Sequence, residues 1–90
     1  TMQFKAFQTN LGAELRRLRE ARRLSTVDLG NAIGKSHSAI SRIETAQQEA
    51  PLSVLWAMCQ ELGTTIDNVV TIAAHEPSAQ DMTPRERYRE

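Results

Sequence analysis

The sequence predicts an all-α domain of five helices, and three observations predict it. Leu11, Leu15 and Leu18 follow Phe7 at intervals of four, four and three, which is one helical stripe. Residues 25–44 read as helix, tight turn, helix, with a serine heading each helix and Gly34 between them. Apolar residues recur at helical spacing through 52–62 and 66–73, and no segment carries a convincing strand signal.

The first helix is expected over roughly 9–23, with residues 2–8 as a lead-in whose Phe4 and Phe7 pack on the domain. Gly12 weakens this helix slightly and marks a close approach of another helix. Ser25 caps the second helix, and Asp28 three residues on makes an imperfect capping box. Leu29 and Ile33 lie one turn apart on its inner face. Gly34 ends it, because the chain must swing round and glycine tolerates a left-handed backbone. Ser36 caps the third helix, with Lys35 just outside. Residues 45–51 (T-A-Q-Q-E-A-P) form a polar loop stopped by proline. The fourth helix runs over about 52–62 and ends at Gly63. The fifth follows Thr65, its expected cap, and reaches about Ala74. Residues 1–74 are thus one domain and 75–90 a tail. In that tail Thr83, Pro84 and Glu86 resemble a helix start, so a short helix and a disordered tail are both open. Thr1 ahead of Met2 reads as a cloning remnant and is set aside.

A chain of 90 residues with 40% hydrophobic and 24% charged residues has an ordinary soluble composition and room for a small core only. No apolar run is long enough to span a membrane, and no signal-peptide pattern is present. The single cysteine, Cys59, has no internal disulfide partner, which fits a reducing cytoplasm; Cys59 is expected in the core. His37, His75 and Cys59 lack metal-ligand spacing. There is no nucleophile–base ordering, no carboxylate-pair motif and no phosphate-binding glycine loop. The sequence therefore implies no enzyme, no cofactor and no metal.

The net charge is zero, but it is unevenly distributed. Residues 1–44 hold eight basic and four acidic side chains, a net of +4; residues 45–90 hold three basic and seven acidic, a net of −4. A basic face with an acidic far side can steer toward DNA. A solvated arginine-rich first helix explains the same count.

The third helix carries the most information. At about 100° per residue, His37, Ser41, Thr45, Ser38 and Arg42 fall within roughly 140° of one another. Ala39, Ile40 and Ile43 occupy the opposite side. The outer face holds only hydrogen-bonding side chains, of types that read base edges or phosphates. In the fourth helix, Leu52, Leu55, Trp56, Met58, Cys59 and Leu62 cover roughly 160°, and Val54 widens the arc, where a core stripe needs about 100°. Ile66, Val69, Val70, Ile72 and Ala73 also spread widely round the fifth. This surplus points to a second copy with two-fold symmetry, unless the N-terminal phenylalanines and the tail cover it. Trp56 is expected in the core or at that interface.

These residues carry a family resemblance. L-G-A-E-L-R-R-L-R-E-A-R-R-L-S, D-L-G-N-A-I-G-K-S, A-I-S-R-I-E and the closing L-x-x-L-x-x-x-C-x-x-L-G-T-T-I-D-N-V-V resemble, in order, the Xre family of lambdoid phage repressors and Cro proteins. The resemblance covers about 11–70. It implies a compact five-helix lambda-repressor-like domain that binds operator DNA as a homodimer, with its third helix in the major groove. His37, Ser38, Ser41 and Arg42 match base-facing positions. Thr26, Ser36 and Thr45 match positions that touch phosphate, and Lys35 stands beside them. Arg19 and Glu44 match an ion pair tying the first helix to the end of the third.

Three departures stand out. Thr26 replaces the usual glutamine. Thr45 to Glu49 replaces a stretch usually holding glycine and basic residues. The proline at 51 is displaced by one place. With no basic residue in the loop, phosphate support is left to the first-helix arginines, so weak non-specific binding and a shallow salt dependence are expected. Two functions remain open: a transcriptional regulator, most simply a repressor, or an antitoxin whose acidic half and tail bind a toxin protein.

Overall fold

The structure, a computed structural model, describes residues 2–75. Among these are five helices and no strand: α1 (Phe4–Ala21), α2 (Thr26–Ile33), α3 (His37–Glu44), α4 (Leu52–Glu61) and α5 (Ile66–His75). The expected helix start at Thr83, and the tail beyond His75, lie outside the described residues.

The core is a single cluster fed by every helix. Leu15 of α1, Leu29 of α2, Ile40 of α3, Met58 and Cys59 of α4, Leu62 beyond it and Val69 of α5 are all fully buried. Burying each large apolar side chain contributes about 1.5–3 kcal/mol. α1 packs on α5 and α3, α2 on α3 and α4, and α4 on α5. This places α3 against α1 and α2 on one side only.

The expectations for the ends of the chain need correction. α1 starts at Phe4, five residues earlier than the stripe suggested, with Gln3 as an N-cap that makes no side-chain hydrogen bond. Phe4 is 58% exposed, whereas Ala6 is buried and Phe7 and Leu11 are half-buried. The two phenylalanine rings lie 6.2 Å apart, tilted by 36°. In α4 the buried arc is Val54, Leu55, Met58 and Cys59, while Leu52 and Trp56 are 71% and 58% exposed. Trp56 is not a core residue.

The capping box at α2 is complete. Asp28 N–H donates to Ser25 Oγ at 2.9 Å, and Ser25 N–H donates to Asp28 Oδ2 at 2.9 Å. The Ser25 N–H first, and then the Ser25 hydroxyl, hold the Asp28 carboxyl below its ordinary pKa. Gly12 marks a close approach, as expected. A Cβ there would stand 2.5 Å from the Glu44 carbonyl oxygen and 2.7 Å from that of Ile43. The α1 backbone therefore rides directly on the last turn of α3.

Four helix ends share one closure. The N–H groups of Leu24, Lys35, Gln47 and Thr64 donate to the carbonyls five residues back, those of Arg19, Gly30, Arg42 and Cys59, at 2.8–3.1 Å. The residue before each donor is left-handed: Arg23 (φ 57°), Gly34 (φ 74°), Ala46 (φ 60°) and Gly63 (φ 71°). This is the Schellman arrangement. Two of the four positions carry a Cβ, and left-handed geometry costs such residues roughly 1–2 kcal/mol.

Arg23 is exposed, so Arg23→Gly is expected to raise stability by about 0.5–1 kcal/mol, a net of relieved strain and greater unfolded-chain freedom. The gain should be smaller for Ala46→Gly, which also loses a methyl that is only 3% exposed. Thermal melts check both, and an unchanged or lower Tm for Arg23→Gly would exclude strain at that end.

Candidate nucleic-acid interface

α3 has eight residues, too few to be stable alone. It is held at three points. Ser36 caps its start, with Ala39 N–H donating to Ser36 Oγ at 3.1 Å. Ile40 and Ile43 bury its inner face. At its C-terminal end Arg19 Nε donates to Glu44 Oε2 at 2.7 Å and Arg19 Nη2 to Glu44 Oε1 at 2.9 Å. Both side chains are buried, and Arg19 Nη1 also donates to the Leu24 carbonyl at 2.7 Å. The hydrogen bond to Glu44 raises the Arg19 pKa still further, against the desolvation that opposes it.

The opposite face of α3 is open. Lys35, Ser36, His37, Ser38, Ser41, Arg42 and Thr45 are exposed, and Thr26 is half-buried at the start of α2. Among the described residues the side chains of Lys35, His37, Ser38 and Ser41 have no hydrogen-bond or ion-pair partner. The Ser36 oxygen accepts at the cap, which leaves its proton free to donate outward. The Thr45 hydroxyl donates to the Ser41 carbonyl at 2.8 Å, so it offers a phosphate its proton only after rotating. At α2 the capping box occupies the Ser25 and Asp28 N–H groups. The same box sets an exposed carboxylate, that of Asp28, close to Thr26.

All three arginines of α1 are engaged within the chain. Arg16 Nε donates to Glu20 at 3.2 Å, and Arg17 donates through Nε and Nη2 to the buried Glu14 at 2.8 and 2.6 Å. The Arg22 guanidinium lies over Gly63, where a Cβ would collide with it. With Arg19 buried, the exposed Arg16 and Arg17 each share a carboxylate within the chain.

Two contacts are invisible in the sequence. Arg42 Nε donates to Gln48 Oε1 at 3.1 Å, and Lys5 Nζ donates to the Ala46 carbonyl at 3.0 Å. The first spans six residues across a left-handed alanine. The second joins the start of α1 to the loop after α3. Among the described residues no group of His, Cys, Asp and Glu is placed to hold a metal ion, and no helix is long and apolar enough to cross a membrane. Cys59 is 1% exposed, and burial pushes its thiol pKa up, away from the reactive thiolate.

Residues 10–70 match the sequence profile of the family described as "Helix-turn-helix domain". No curated protein matches the chain significantly. Among similar solved structures are two of the clp gene regulator ClgR from Corynebacterium glutamicum. One is 26% identical with a TM-score of 0.74, over 80% of this chain and 92% of that one. The other is 28% identical with a TM-score of 0.72, over 76% and 72% respectively.

The Arg19–Glu44 pair sets the first expectation for this region. Glu44→Ala strands a buried guanidinium and should cost about 3–5 kcal/mol, measured by denaturant unfolding. The apolar pair Arg19→Met with Glu44→Leu should recover most of that loss. An equal loss in the double variant would assign the effect to packing rather than charge.

Proposed function

We propose that this chain, which belongs to the helix-turn-helix domain family, is a sequence-specific DNA-binding transcriptional regulator: a repressor of the Xre type that binds a palindromic operator as a homodimer. The observation that carries the proposal is the outer face of α3. It gathers Lys35, Ser36, His37, Ser38, Ser41 and Arg42, all exposed, on a helix whose other face is locked by Ile40, Ile43 and the Arg19–Glu44 pair. An ordinary solvated helix would carry Glu and Lys there.

In this proposal α3 enters the major groove. Arg42 donates two bonds to O6 and N7 of a guanine, and His37, Ser38 and Ser41 read neighbouring base edges. Thr26, Lys35, Ser36 and Thr45 lie at the flanks of the helix, where phosphates pass. The likeness to a gene regulator supports the regulatory role. Repression follows from occupying the operator in the cytoplasm, with no catalytic step.

A single α3 presents only a few base-reading side chains, so a second copy is needed to specify a site, with half-sites about 34 Å apart. Leu52 and Trp56, exposed on α4, are the apolar side chains that such a dimer would cover. An antitoxin would use the same surface for a toxin. Co-purification of an unrelated protein, with DNA binding that depends on it, would favour that alternative.

Two measurements test the proposal. Selection of bound sequences from a random DNA pool should return a palindrome, and Arg42→Ala should relax preference at one base pair per half-site, at a cost of about 1–3 kcal/mol on the best site. Unchanged selectivity would remove Arg42 from base reading. In sedimentation the chain should be a dimer at micromolar concentration. Dilution should then red-shift the emission of Trp56, the only tryptophan. A monomer whose emission is independent of concentration would exclude that dimer.

A further inference from the structure

We infer that Gln48 is a positioning residue for Arg42, a clamp in the α3–α4 loop that aims the guanidinium and so sets sequence discrimination. The inference rests on the DNA-binding role proposed above and goes beyond it.

Arg42 is held twice by the same short segment. Its carbonyl accepts from the N–H groups of Gln47 at 2.8 Å and Gln48 at 3.3 Å. Its Nε donates to Gln48 Oε1 at 3.1 Å. The loop reaches back this far because Ala46 is left-handed (φ 60°). The loop is itself anchored from behind: Ala46 is 3% exposed, and its carbonyl accepts from Lys5 of α1. Gln48 therefore projects from backbone tied to α3 on one side and to α1 on the other.

This geometry leaves one part of the guanidinium free. Nε is taken by Gln48, and the two terminal amino groups have no partner among the described residues. Those two groups form the fork that matches O6 and N7 of guanine. An arginine ordered before binding loses less rotamer freedom on docking. The neutral glutamine suits this role chemically. Lys or Arg at 48 could only donate and would repel Arg42, whereas Glu would accept but bring a negative charge beside the DNA. The loop thus lacks the basic residues expected of it, and the position is occupied by an acceptor for Arg42.

The test uses the full chain, comparing binding-site selection and binding isotherms across salt concentrations. Gln48→Ala, at an exposed position, should keep its thermal melt and lose discrimination roughly two- to tenfold at the Arg42 base pair alone, the range for ordering one long side chain. Gln48→Lys should bind all sequences more tightly and steepen the salt slope by about one unit per half-site, yet discriminate less at that base pair. Gln48→Glu should keep discrimination while binding all sequences more weakly. In an Arg42→Ala background, Gln48→Ala should change nothing further. Unaltered selectivity in Gln48→Ala, equal losses at every base pair, or a loss that persists without Arg42 would each overturn the clamp while leaving DNA binding intact. A wild-type chain that enriches no sequence would overturn the DNA-binding proposal itself.

Discussion

The buried contact between Arg19 and Glu44 is the constraint on which the position of α3 depends. An eight-residue helix has no stable existence alone, and its apolar inner face fixes depth better than angle. The guanidinium adds the angle. Two parallel hydrogen bonds to one carboxylate define a plane, and the third bond, to the Leu24 carbonyl, ties the same group to the α1–α2 turn. One side chain thereby joins α1, the turn before α2 and the end of α3. Taking both charges out of water is costly, and the excellent geometry offsets much of that cost. Gly12 completes the contact, since only the absence of a Cβ lets α1 rest against the Ile43 and Glu44 carbonyls.

With α3 fixed in this way, its outer face can be given over to hydrogen-bonding side chains without loss of structure. The inner residues supply burial, the caps supply the end groups, and none of the exposed side chains from His37 to Arg42 is needed to hold the helix. Arg42 differs from its neighbours in being tethered. Its bond to Gln48 is exposed and therefore modest in strength. It biases a long side chain rather than locking it, which suits a group that must adjust on contact with a base.

The sequence made the helices legible because capping serines and left-handed glycines mark ends chemically. The boundaries of α2 and the start of α3 follow from Ser25, Gly34 and Ser36 to the residue. The start of α1 was not legible, because Gln3 makes no cap bond and nothing at Phe4 signals a helix. The surplus apolar arc of α4 was legible, but which of its residues, Leu52 and Trp56, stay exposed was not. Helical spacing shows which residues share a face, not how far a neighbouring helix extends over it. The Arg19–Glu44 contact, 25 residues apart in sequence, was suggested by family resemblance and not by periodicity. The Arg42–Gln48 bond was legible by neither route, since it requires Ala46 in a conformation usually left to glycine.

These contacts change what the charge distribution means. The +4 balance of residues 1–44 suggested an arginine-lined approach, but Arg16, Arg17 and Arg19 are paired with carboxylates within the chain, and Arg22 covers Gly63. At the start of α2, Asp28 keeps its negative charge because the Ser25 N–H and hydroxyl both favour the carboxylate. A DNA-binding surface of this kind gains little from phosphates, which supply affinity without regard to sequence. Its selectivity then rests on the ratio between specific and non-specific binding, and low non-specific affinity raises that ratio as surely as a better base contact does. On the proposed function, the tethered Arg42 and the sparsely charged flanks of α3 act in the same direction, toward discrimination at the expense of grip. A second copy of the chain is the physical means by which such a surface would recover the affinity it lacks.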